Sequence, residues 1–375
     1  MDDCGALIVG AGPAGSSCAW RLQQAGLDTV ILDKRAFPRD KVCGGWITPA
    51  VLEELRIDPA EYGTGRVLQP LTGFRTSRMG GREIYTDYGK PVSYGVRRCE
   101  FDEYLLRRSG ASIFDGMPLE SLERSGEHWI VNNRWKTRLV IGAGGHFCPV
   151  ARFLGADARK EVAVAAQEIE FEMGPAQREA CTIQCEVPEL FFCPDMKGYG
   201  WCFRKGNFLN VGLGRLDPRG LPGHVSGFVK LLKSAGKLAS ELPSSLPGHA
   251  YLLYEGASRK AVDDGILLIG DAAGVAYPQS GEGIRPAVES GLLAAQAVLA
   301  ANGDYSRKKL CTYREQLSAR LGKPGGDWST AIGRRIPAGW VASAARILLA
   351  TGWFSRRIVL DRWFLHRHQG ALQLA

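Results

Sequence analysis

The sequence lacks a long apolar run, an internal repeat and a low-complexity tract. Its best apolar stretch, residues 341–354, is interrupted by Arg346, whereas a spanning helix needs about 20 apolar residues. The lack of a repeat with a period of roughly 20 to 50 residues excludes solenoid and propeller folds. The acidic N-terminus leads directly into an apolar strand pattern, so it does not provide the basic start of a signal peptide. We therefore expect a cytoplasmic protein.

The ten cysteines lack CxxC spacing. They are scattered irregularly, and in a cytoplasmic protein we expect them to stay reduced and to act mostly as small buried apolar residues. Cys181 and Cys185 fall in a probable strand region, where no metal site is expected. A chain of 375 residues with 45% hydrophobic content can bury one large core or two coupled ones.

A glycine-rich segment, residues 10–15 (GAGPAG), follows a buried-strand pattern at 6–9 and precedes helical spacing at 16–25. The glycines would permit a tight turn, close approach of a pyrophosphate, and close packing of helix on strand. A second strand pattern at 28–32 ends at Asp33, whose carboxylate is placed to bind an adenosine ribose. The combination predicts a dinucleotide site; the alternative is a glycine-rich turn without a ligand.

A second glycine-rich region lies near the end of the fold. A strand pattern at 265–270 runs into GDAAG at 270–274, and PQSGEGI at 278–284 precedes a helical pattern at 284–301. Asp271 is placed to bind a ribityl hydroxyl. The turn at 281–284 would aim backbone N–H groups and a positive helix end at the edge of a flavin ring. Together, the two regions predict FAD.

Three further motifs resemble one family. They are KVCGG at 41–45, RCEFDEYL at 98–105 and YGWCF at 199–203. They look like the KxCGG, RxxFDxxL and YxWxF signatures of the geranylgeranyl reductase family, flavoproteins within the p-hydroxybenzoate hydroxylase-like class that saturate double bonds of isoprenoid chains. The likeness runs from about residue 7 to residue 299.

The motifs and the resemblance together imply a set of site residues. The residues expected to bind FAD are Gly10, Gly12, Pro13, Ala14, Gly15, Asp33, Lys34, Cys43, Gly44, Gly45, Arg98, Asp271, Ala272, Gly281, Gly283 and Ile284. Within this set, the resemblance places Arg98 on the FAD phosphates. It also implies a catalytic role for Cys43, as proton donor or in control of flavin conformation, although Cys43 could equally be a packing residue. Tyr199, Trp201 and Phe203 would wall the substrate cavity.

Two positions depart from the family pattern. Gly144 stands where the wider class usually has an Asp in a GADG turn, and Arg204 stands where the family commonly has proline. Gly144 cannot supply the carboxylate that helps to hold FAD and, in hydroxylases, NADPH. Direct NADPH use by the hydroxylase route is therefore disfavoured, and the substrate wall around Arg204 is expected to differ.

The expected fold is α/β, with a Rossmann-like FAD-binding domain interleaved with an antiparallel β-sheet substrate domain, plus a helical C-terminal region. The FAD-binding domain would comprise residues 1–68, 96–155 and 257–301. The substrate-binding domain would comprise 69–95 and 156–256, where polar and apolar residues alternate as in a sheet with one packed side. Residues 302–375 would form the basic helical region.

The basic charge lies in the tail. Residues 301–375 hold thirteen Lys and Arg against four Asp and Glu, a net +9, so the rest of the chain carries −1. Aromatic and arginine side chains interleave from Trp328 to His368. This pattern fits a helix lying on an anionic membrane surface, or a helical lid over the substrate cavity. No nucleic-acid-binding motif accompanies the charge.

The leading hypothesis is an FAD-dependent reductase that saturates double bonds of an isoprenoid or similar long apolar lipid by hydride transfer from reduced flavin. Its electron donor would be separate: ferredoxin-like, a quinol or NAD(P)H. One alternative is a flavin monooxygenase of an aromatic or polyene substrate. Another is a membrane-surface flavoprotein, peripheral on the inner membrane face, that only carries electrons or binds lipid. Glu282 could act near the ring, or could be a local helix-start carboxylate.

Overall fold

The structure is a computed structural model, and it describes residues 1–238, 242, 246–256, 258–322 and 346–373. The strands, in chain order, are β1 Asp2–Cys4, β2 Ala6–Val9, β3 Thr29–Asp33, β4 Trp46–Ile47, β5 Leu68–Leu71, β6 Gly73–Arg78, β7 Ile84–Asp87, β8 Ser93–Val96, β9 Ser112–Asp115, β10 Leu122–Ser125, β11 His128–Val131, β12 Trp135–Thr137, β13 Val140–Gly142, β14 Val164–Glu172, β15 Glu189–Phe192, β16 Gly198–Lys205, β17 Phe208–Arg215, β18 Gly248–Tyr251, β19 Val262–Asp263 and β20 Ile266–Leu268.

The helices are α1 Pro13–Gln24, α2 Pro49–Glu54, α3 Pro59–Gly63, α4 Arg98–Arg108, α5 Pro149–Phe153, α6 Pro175–Ala180, α7 Leu221–Ser234, α8 Ile284–Ala300, α9 Arg307–Leu321 and α10 Gly352–Phe354. A π-helical segment, Ser355–Phe364, continues from α10. Short 3₁₀ turns lie at Tyr254–Gly256 and Gly270–Ala272.

A six-stranded sheet forms the first layer, in the order β19, β20, β13, β2, β3, β9. All its pairs are parallel except β19 with β20. Its central strands are apolar and buried throughout, as expected when helices cover both faces of a parallel sheet. Because parallel strands end at the same edge, the turns that follow β2, β3 and β20 meet there.

A seven-stranded sheet forms the second layer, in the order β18, β14, β17, β16, β15, β6, β7. It is antiparallel except for the β6–β15 pair. One face packs on α7 through Ile169, Val211 and Phe228. The sequence indicated only one packed side, but the opposite face is also covered: Glu168 and Asn210 are buried there. The alternating polar residues thus face a buried charged network, not solvent.

Two small sheets complete the fold, with orders β4, β8, β5 and β1, β12, β11, β10. The α/β fold class, with its Rossmann-like domain, is confirmed. The parallel layer uses strands from early, middle and late parts of the chain, and the second layer uses the intervening parts. The domain boundaries given above remain predictions.

The C-terminal region packs on the second layer. Leu360 and Phe364 of the π-helical segment lie in an apolar cluster with Phe74 and Phe192. Part of the aromatic and arginine pattern in the tail lies outside the described residues: Trp328, Arg334, Arg335 and Trp340. Among the residues that are described, no helix combines the length and the apolar character that crossing a bilayer requires.

Candidate active site

The first glycine turn connects β2 to α1. Gly10 has φ +115°, and a Cβ there would overlap the carbonyl of Ala143; a Cβ at Gly15 would overlap the carbonyl of Gly10. These two glycines therefore allow turn, helix and β13 to pack closely. Gly12 differs, because a Cβ there would have its nearest neighbour, Arg39 Nη2, at 3.7 Å. No described side chain caps the start of α1 at Pro13, so the backbone N–H groups of Ala14 and Gly15 are available to an anion.

Asp33 lies at the end of β3, beside this turn. Its carboxylate accepts hydrogen bonds from the backbone N–H of Ala11, at 2.8 Å, and of Arg35, at 3.0 Å. These bonds fix the turn, and they place a carboxylate where the ribose of a dinucleotide is expected. Lys34 is exposed in the loop that follows.

Two arginines converge on Asp102. Arg98, at the start of α4, donates two hydrogen bonds to the Asp102 carboxylate, at 2.8 and 2.9 Å. Arg39 lies 3.5 Å from the same carboxylate and also next to Gly12. Burial opposes the charge of Arg98, but the negative charge of Asp102 outweighs it and raises the pKa of Arg98. Arg39 therefore lies beside the glycine turn, and it was not among the site residues predicted from the sequence.

The Cys43–Gly45 loop rests on the second sheet. The Cys43 N–H donates to Glu168 Oε2 at 2.8 Å, and the Lys205 ammonium donates to the Gly44 carbonyl at 2.9 Å. Gly45 has φ +64°, and a Cβ there would overlap the carbonyl of Val96. The Val96 N–H of β8 donates to the Gly45 carbonyl at 2.7 Å. The loop is therefore held from the second sheet on one side and from β8 on the other.

The side chains beneath this loop form one buried network. Lys205 pairs with Glu170 and is fully buried. The Asn210 amide donates to Glu168 Oε1 at 2.7 Å and to Glu170 Oε2 at 3.1 Å, and Trp201 Nε1 donates to Asn210 Oδ1 at 2.7 Å. Burial raises the pKa of Glu168 to about 7. The network connects the expected substrate wall, at Trp201, to the Cys43 loop.

Asp271 follows β20, in the Gly270–Ala272 turn. His249 Nε2 lies 3.5 Å from Asp271 Oδ2, and the Lys41 ammonium lies 2.7 Å from the same His249 atom. Burial would raise the pKa of Asp271, but the His249 hydrogen bond and the Lys41 charge hold it below its usual value. Burial lowers the pKa of Lys41 to about 8. Asp271 thus stays ionised, as an acceptor for hydroxyl groups. Ala272 is fully buried behind it.

The second glycine turn is held by two tyrosines. The Tyr199 hydroxyl donates to the Ser280 carbonyl at 2.5 Å, and a Cβ at Gly281 would overlap the Tyr251 hydroxyl. A Cβ at Gly283 would meet nothing closer than Asp271 Oδ1, at 3.5 Å. α8 begins at Ile284; its N-cap is Gly283, and the Glu282 carboxylate accepts a hydrogen bond from the Arg285 N–H at 3.3 Å. Both glycine turns thus place helix-start N–H groups beside open space, so the residues present fit FAD.

Glu282 lies in this turn against the C-terminal segment. Its Oε2 atom is buried, makes no hydrogen bond with a described residue and lies 3.6 Å from His366 Nε2. Burial raises the pKa of Glu282 to about 8 and lowers the pKa of His366 to about 3. At neutral pH the pair is therefore a protonated acid beside a neutral imidazole. The His366 ring stacks on Tyr277 with centroids 3.8 Å apart.

The expected substrate wall divides in two. Tyr199 and Trp201 join an aromatic and aliphatic cluster, with Phe364 of the tail 5.2 Å from the Tyr199 ring and 5.3 Å from Trp46. We call this the aromatic cluster; its other ring residues are Phe74, Tyr88, Phe192, Phe354 and Trp363. Phe203 lies instead against the Cys43–Gly45 loop, since a Cβ on Gly44 would be 3.5 Å from its ring.

The two positions that depart from the family pattern, Gly144 and Arg204, contact residues that are close to them in the sequence. A Cβ on Gly144 would sit 3.2 Å from Cys148 Sγ, so the backbone there packs tightly on the loop before α5. The Arg204 Nε donates to the Gly206 carbonyl at 2.7 Å, in the hairpin between β16 and β17.

Comparisons with known proteins agree with this geometry. Residues 8–66 match a model of an NAD(P)-binding Rossmann-like domain. Digeranylgeranylglycerophospholipid reductase 3 of Methanosphaera stadtmanae is 28% identical, over 84% of this chain and 83% of its own length. Menaquinone reductase of Mycobacterium tuberculosis is 29% identical, over 79% and 76%. The resemblance to the geranylgeranyl reductase family is confirmed.

Solved structures support the fold of this family. A geranylgeranyl bacteriochlorophyll reductase-like protein from Thermoplasma acidophilum superposes with a TM-score of 0.77 at 21% identity, covering 98% of each chain. A halogenase solved with FAD bound and a probable FAD-dependent monooxygenase from Pseudomonas aeruginosa superpose with TM-scores of 0.68 and 0.65, at 16% and 17% identity, and each match covers 94% of this chain. The chain is thus similar to named reductases and shares the fold of these FAD-associated enzymes.

Proposed function

We propose that this protein is an FAD-dependent reductase that saturates double bonds of an isoprenoid or similar long apolar lipid. One observation carries the proposal: the aromatic cluster meets the Cys43–Gly45 loop directly, because Trp46 follows that loop and Trp201 lies beneath it. A substrate bound along the cluster would therefore reach the place expected for the flavin ring. The reductases among the related proteins act on lipids of this kind by their names.

Bound FAD, once reduced, supplies a hydride. The protein's own task is to hold an unactivated alkene in place and to keep water away from it. Phe364, Tyr199 and Trp201 present apolar faces for that purpose, and the Tyr199 hydroxyl is engaged by Ser280, so it does not attract water to the site.

A proton must also reach the second alkene carbon. Glu282 holds one at its carboxyl group at neutral pH, because burial raises its pKa to about 8. Cys43, in the loop on the other side of the turn, is the second candidate donor. The geometry favours Glu282 as the group that keeps the proton, since its Oε2 is buried and makes no hydrogen bond with any described residue.

The proposed FAD contacts follow from the two glycine turns and the helix starts beside them. Gly10, Gly12 and Gly15, with the start of α1, would bind the pyrophosphate, assisted by Arg39 and Arg98. Asp33 would bind the adenosine ribose and Asp271 the ribityl chain. Gly281, Gly283 and Ile284, with the Cys43–Gly45 loop, would contact the ring. Lys34, which is exposed, would act at the edge of the adenosine site.

The electron donor that we propose is a separate ferredoxin-like protein, a quinol or NAD(P)H. Gly144 supports a route other than the hydroxylase one, because no carboxylate stands at that turn.

We further propose peripheral contact with the inner face of an anionic membrane. The described part of the tail presents exposed apolar side chains at Ile347, Leu348 and Trp353, with side-chain exposure of Trp353 at 68%. Arg356 and Arg357 are exposed close by in sequence. Apolar groups flanked by arginines suit an anionic lipid surface, which attracts each basic residue by about 1 kcal/mol. Phe364, by contrast, faces inwards, so one tail segment serves as both lid and contact.

An anaerobic experiment tests the proposed function. The FAD-loaded protein is reduced with dithionite, isoprenoid lipids are added, and flavin reoxidation is followed together with lipid mass. Reoxidation without oxygen, with a gain of two hydrogens in the lipid, is the expected result. A flavin that stays reduced until air is admitted, with unchanged lipid, would overturn the proposal.

A further inference from the structure

A cleft lies at the end of the aromatic cluster that is remote from the Cys43–Gly45 loop. It has a volume of about 260 Å³ and is formed by the β6–β7 turn and the start of the described tail. Among the described residues, its charged lining consists of Arg78, Arg82 and Arg346, and none of the described lining residues is acidic. We call it the arginine cleft.

The three arginines lack partners within the described part of the chain. The Nε atom of Arg78 is buried and makes no hydrogen bond there, and none of the three side chains forms an ion pair with a described residue. The neighbouring acid, Glu83, is engaged by Lys237 at 2.9 Å. Arginines gathered without a carboxylate repel one another, and an oxyanion with several acceptor atoms offsets that repulsion.

The arginine cleft is continuous with the aromatic cluster. Leu349 lines the cleft and is also a buried member of the cluster. Strand β6 makes the same connection, because Phe74, Thr76 and Arg78 share one face of it by the alternation of a strand. Phe74 stacks on Trp46 at 5.1 Å, at the flavin end. Thr76 Oγ1, between the two, is buried without a hydrogen-bond partner in the described structure.

From these observations we infer that the arginine cleft binds the anionic head group of the lipid substrate, of the phosphate or diphosphate type. The head would lie at Arg78, Arg82 and Arg346, and the apolar chain would run along β6 to the flavin end of the cluster. Arg78 lies four positions after Phe74 on β6, a distance of about 13 Å at roughly 3.3 Å per residue. The inference rests on the proposed function, and it selects acidic isoprenoid lipids over neutral ones.

The test compares ligands that differ only in the head group. The FAD-loaded, full-length protein is titrated with geranylgeranyl phosphate, with geranylgeraniol and with inorganic diphosphate, and binding is followed by flavin absorbance and tryptophan fluorescence. The test variant is Arg78→Gln/Arg82→Gln/Arg346→Gln. The matched control, Arg159→Gln/Lys160→Gln/Arg219→Gln, removes three equally positive but highly exposed side chains that do not line the cleft. Thermal unfolding of each variant shows whether it folds.

We expect the wild type to bind geranylgeranyl phosphate at least about tenfold more tightly than geranylgeraniol, because charge-assisted hydrogen bonds are strong. The cleft variant should lose most of that difference through weaker binding of the phosphate, while the control keeps it. Equal weakening of phosphate and alcohol would overturn the inference, as would equal binding of both by the wild type. Binding of inorganic diphosphate as tightly as the prenyl phosphate would indicate a free-anion site and would also overturn it.

Failure of the proposed function has a different signature. In that case neither prenyl compound reoxidises the reduced protein, whatever their relative affinities. Turnover of both compounds without any preference for the phosphate would instead leave the reductase proposal standing and remove only the head-group site.

Discussion

The ammonium group of Lys205 lies 2.9 Å from the carbonyl oxygen of Gly44 and 2.9 Å from that of Val96. A charged side chain from the second sheet thus connects the expected flavin loop, at Gly44, to the end of β8, at Val96. Burying that charge is tolerated because Glu170 neutralises it. The position of the loop therefore depends on a buried ion pair of the second sheet.

Replacing Lys205 with Met should loosen the Cys43–Gly45 loop. The change removes the ammonium group from two carbonyl groups and from Glu170, which keeps Arg97 at 3.4 Å and the Asn210 amide at 3.1 Å. We expect a loss of about 3 kcal/mol in the free energy of unfolding, the lower end for a broken buried pair. We also expect weaker FAD binding and a shifted flavin absorption spectrum, measured by titration of the apoprotein. Lys205→Arg should restore part of the affinity. Lys230→Met, at an exposed position of α7, is the control; an unchanged FAD affinity in Lys205→Met would contradict this role.

Gly12→Ala should remove FAD binding without unfolding the protein. A Cβ there meets no protein atom closer than 3.7 Å, so the new methyl group enters the space expected for the pyrophosphate. Apoprotein melting temperature should stay within a few degrees of wild type, while the FAD dissociation constant rises at least about tenfold. Gly223→Ala, in α7, where a Cβ meets nothing within 4 Å, controls for added bulk. Normal FAD content in Gly12→Ala would argue against this turn as the phosphate site.

Glu282→Gln should change how stability depends on pH. Burial raises the folded pKa of Glu282 to about 8 from its usual 4.5, so the folded state holds a proton that the unfolded state releases. Between these values the free energy of unfolding of the wild type falls as the pH rises, by up to a few kcal/mol from this group. The variant does not titrate there, so its stability relative to wild type should increase from about pH 5 to about pH 9.

Denaturant unfolding of both proteins at each pH measures this difference, and the comparison cancels the contributions of titrating groups that do not contact Glu282. A difference that is independent of pH would show that Glu282 is ionised in the folded protein. It would then not hold the proton that the proposed reaction uses.

Phe364→Ala should destabilise the lid. The ring is 4% exposed and contacts Trp46, Tyr199 and Phe192, and removing a buried Phe costs about 3 kcal/mol or more. Trp353→Ala removes a ring that is 68% exposed, so it should leave the melting temperature nearly unchanged but weaken binding to anionic vesicles. Equal effects of the two changes on both readouts would refute the division of the tail into an inner and an outer face.

The sequence supported the main outline of the site. The strand patterns at 6–9 and 265–270 correspond to β2 and β20, and the helical pattern at 284–301 corresponds to α8. Local rules suffice for such elements, because glycine turns, buried strands and apolar helices each have their own spacing.

The network beneath Cys43 could not be predicted in the same way. Glu168, Lys205 and Asn210 occupy alternate positions on strands, which is also the pattern of a solvent-facing side. Only the pairing of β14 with β17, and of β17 with β16, brings them together. Arg39 was missed for a similar reason: its neighbour Gly12 is distant in sequence, and no spacing rule connects them. For the tail, the sequence left open a membrane-surface helix and a lid over the cavity, and only tertiary packing shows that Phe364 faces inwards while Trp353 is exposed.

The C-terminal segment also has a consequence for synthesis of the protein. Arg285 donates to the carbonyls of Gln369 and Gly370, and the Leu372 N–H donates to Glu54, 318 residues earlier in the chain. The corner that carries Glu282 is therefore assembled from the beginning, the middle and the far end of the described chain. While a polypeptide is still being made, this corner stays open to water. We expect the complete site to form only after residue 372 has left the ribosome, so that the lipid-handling cavity closes as one of the last events of folding.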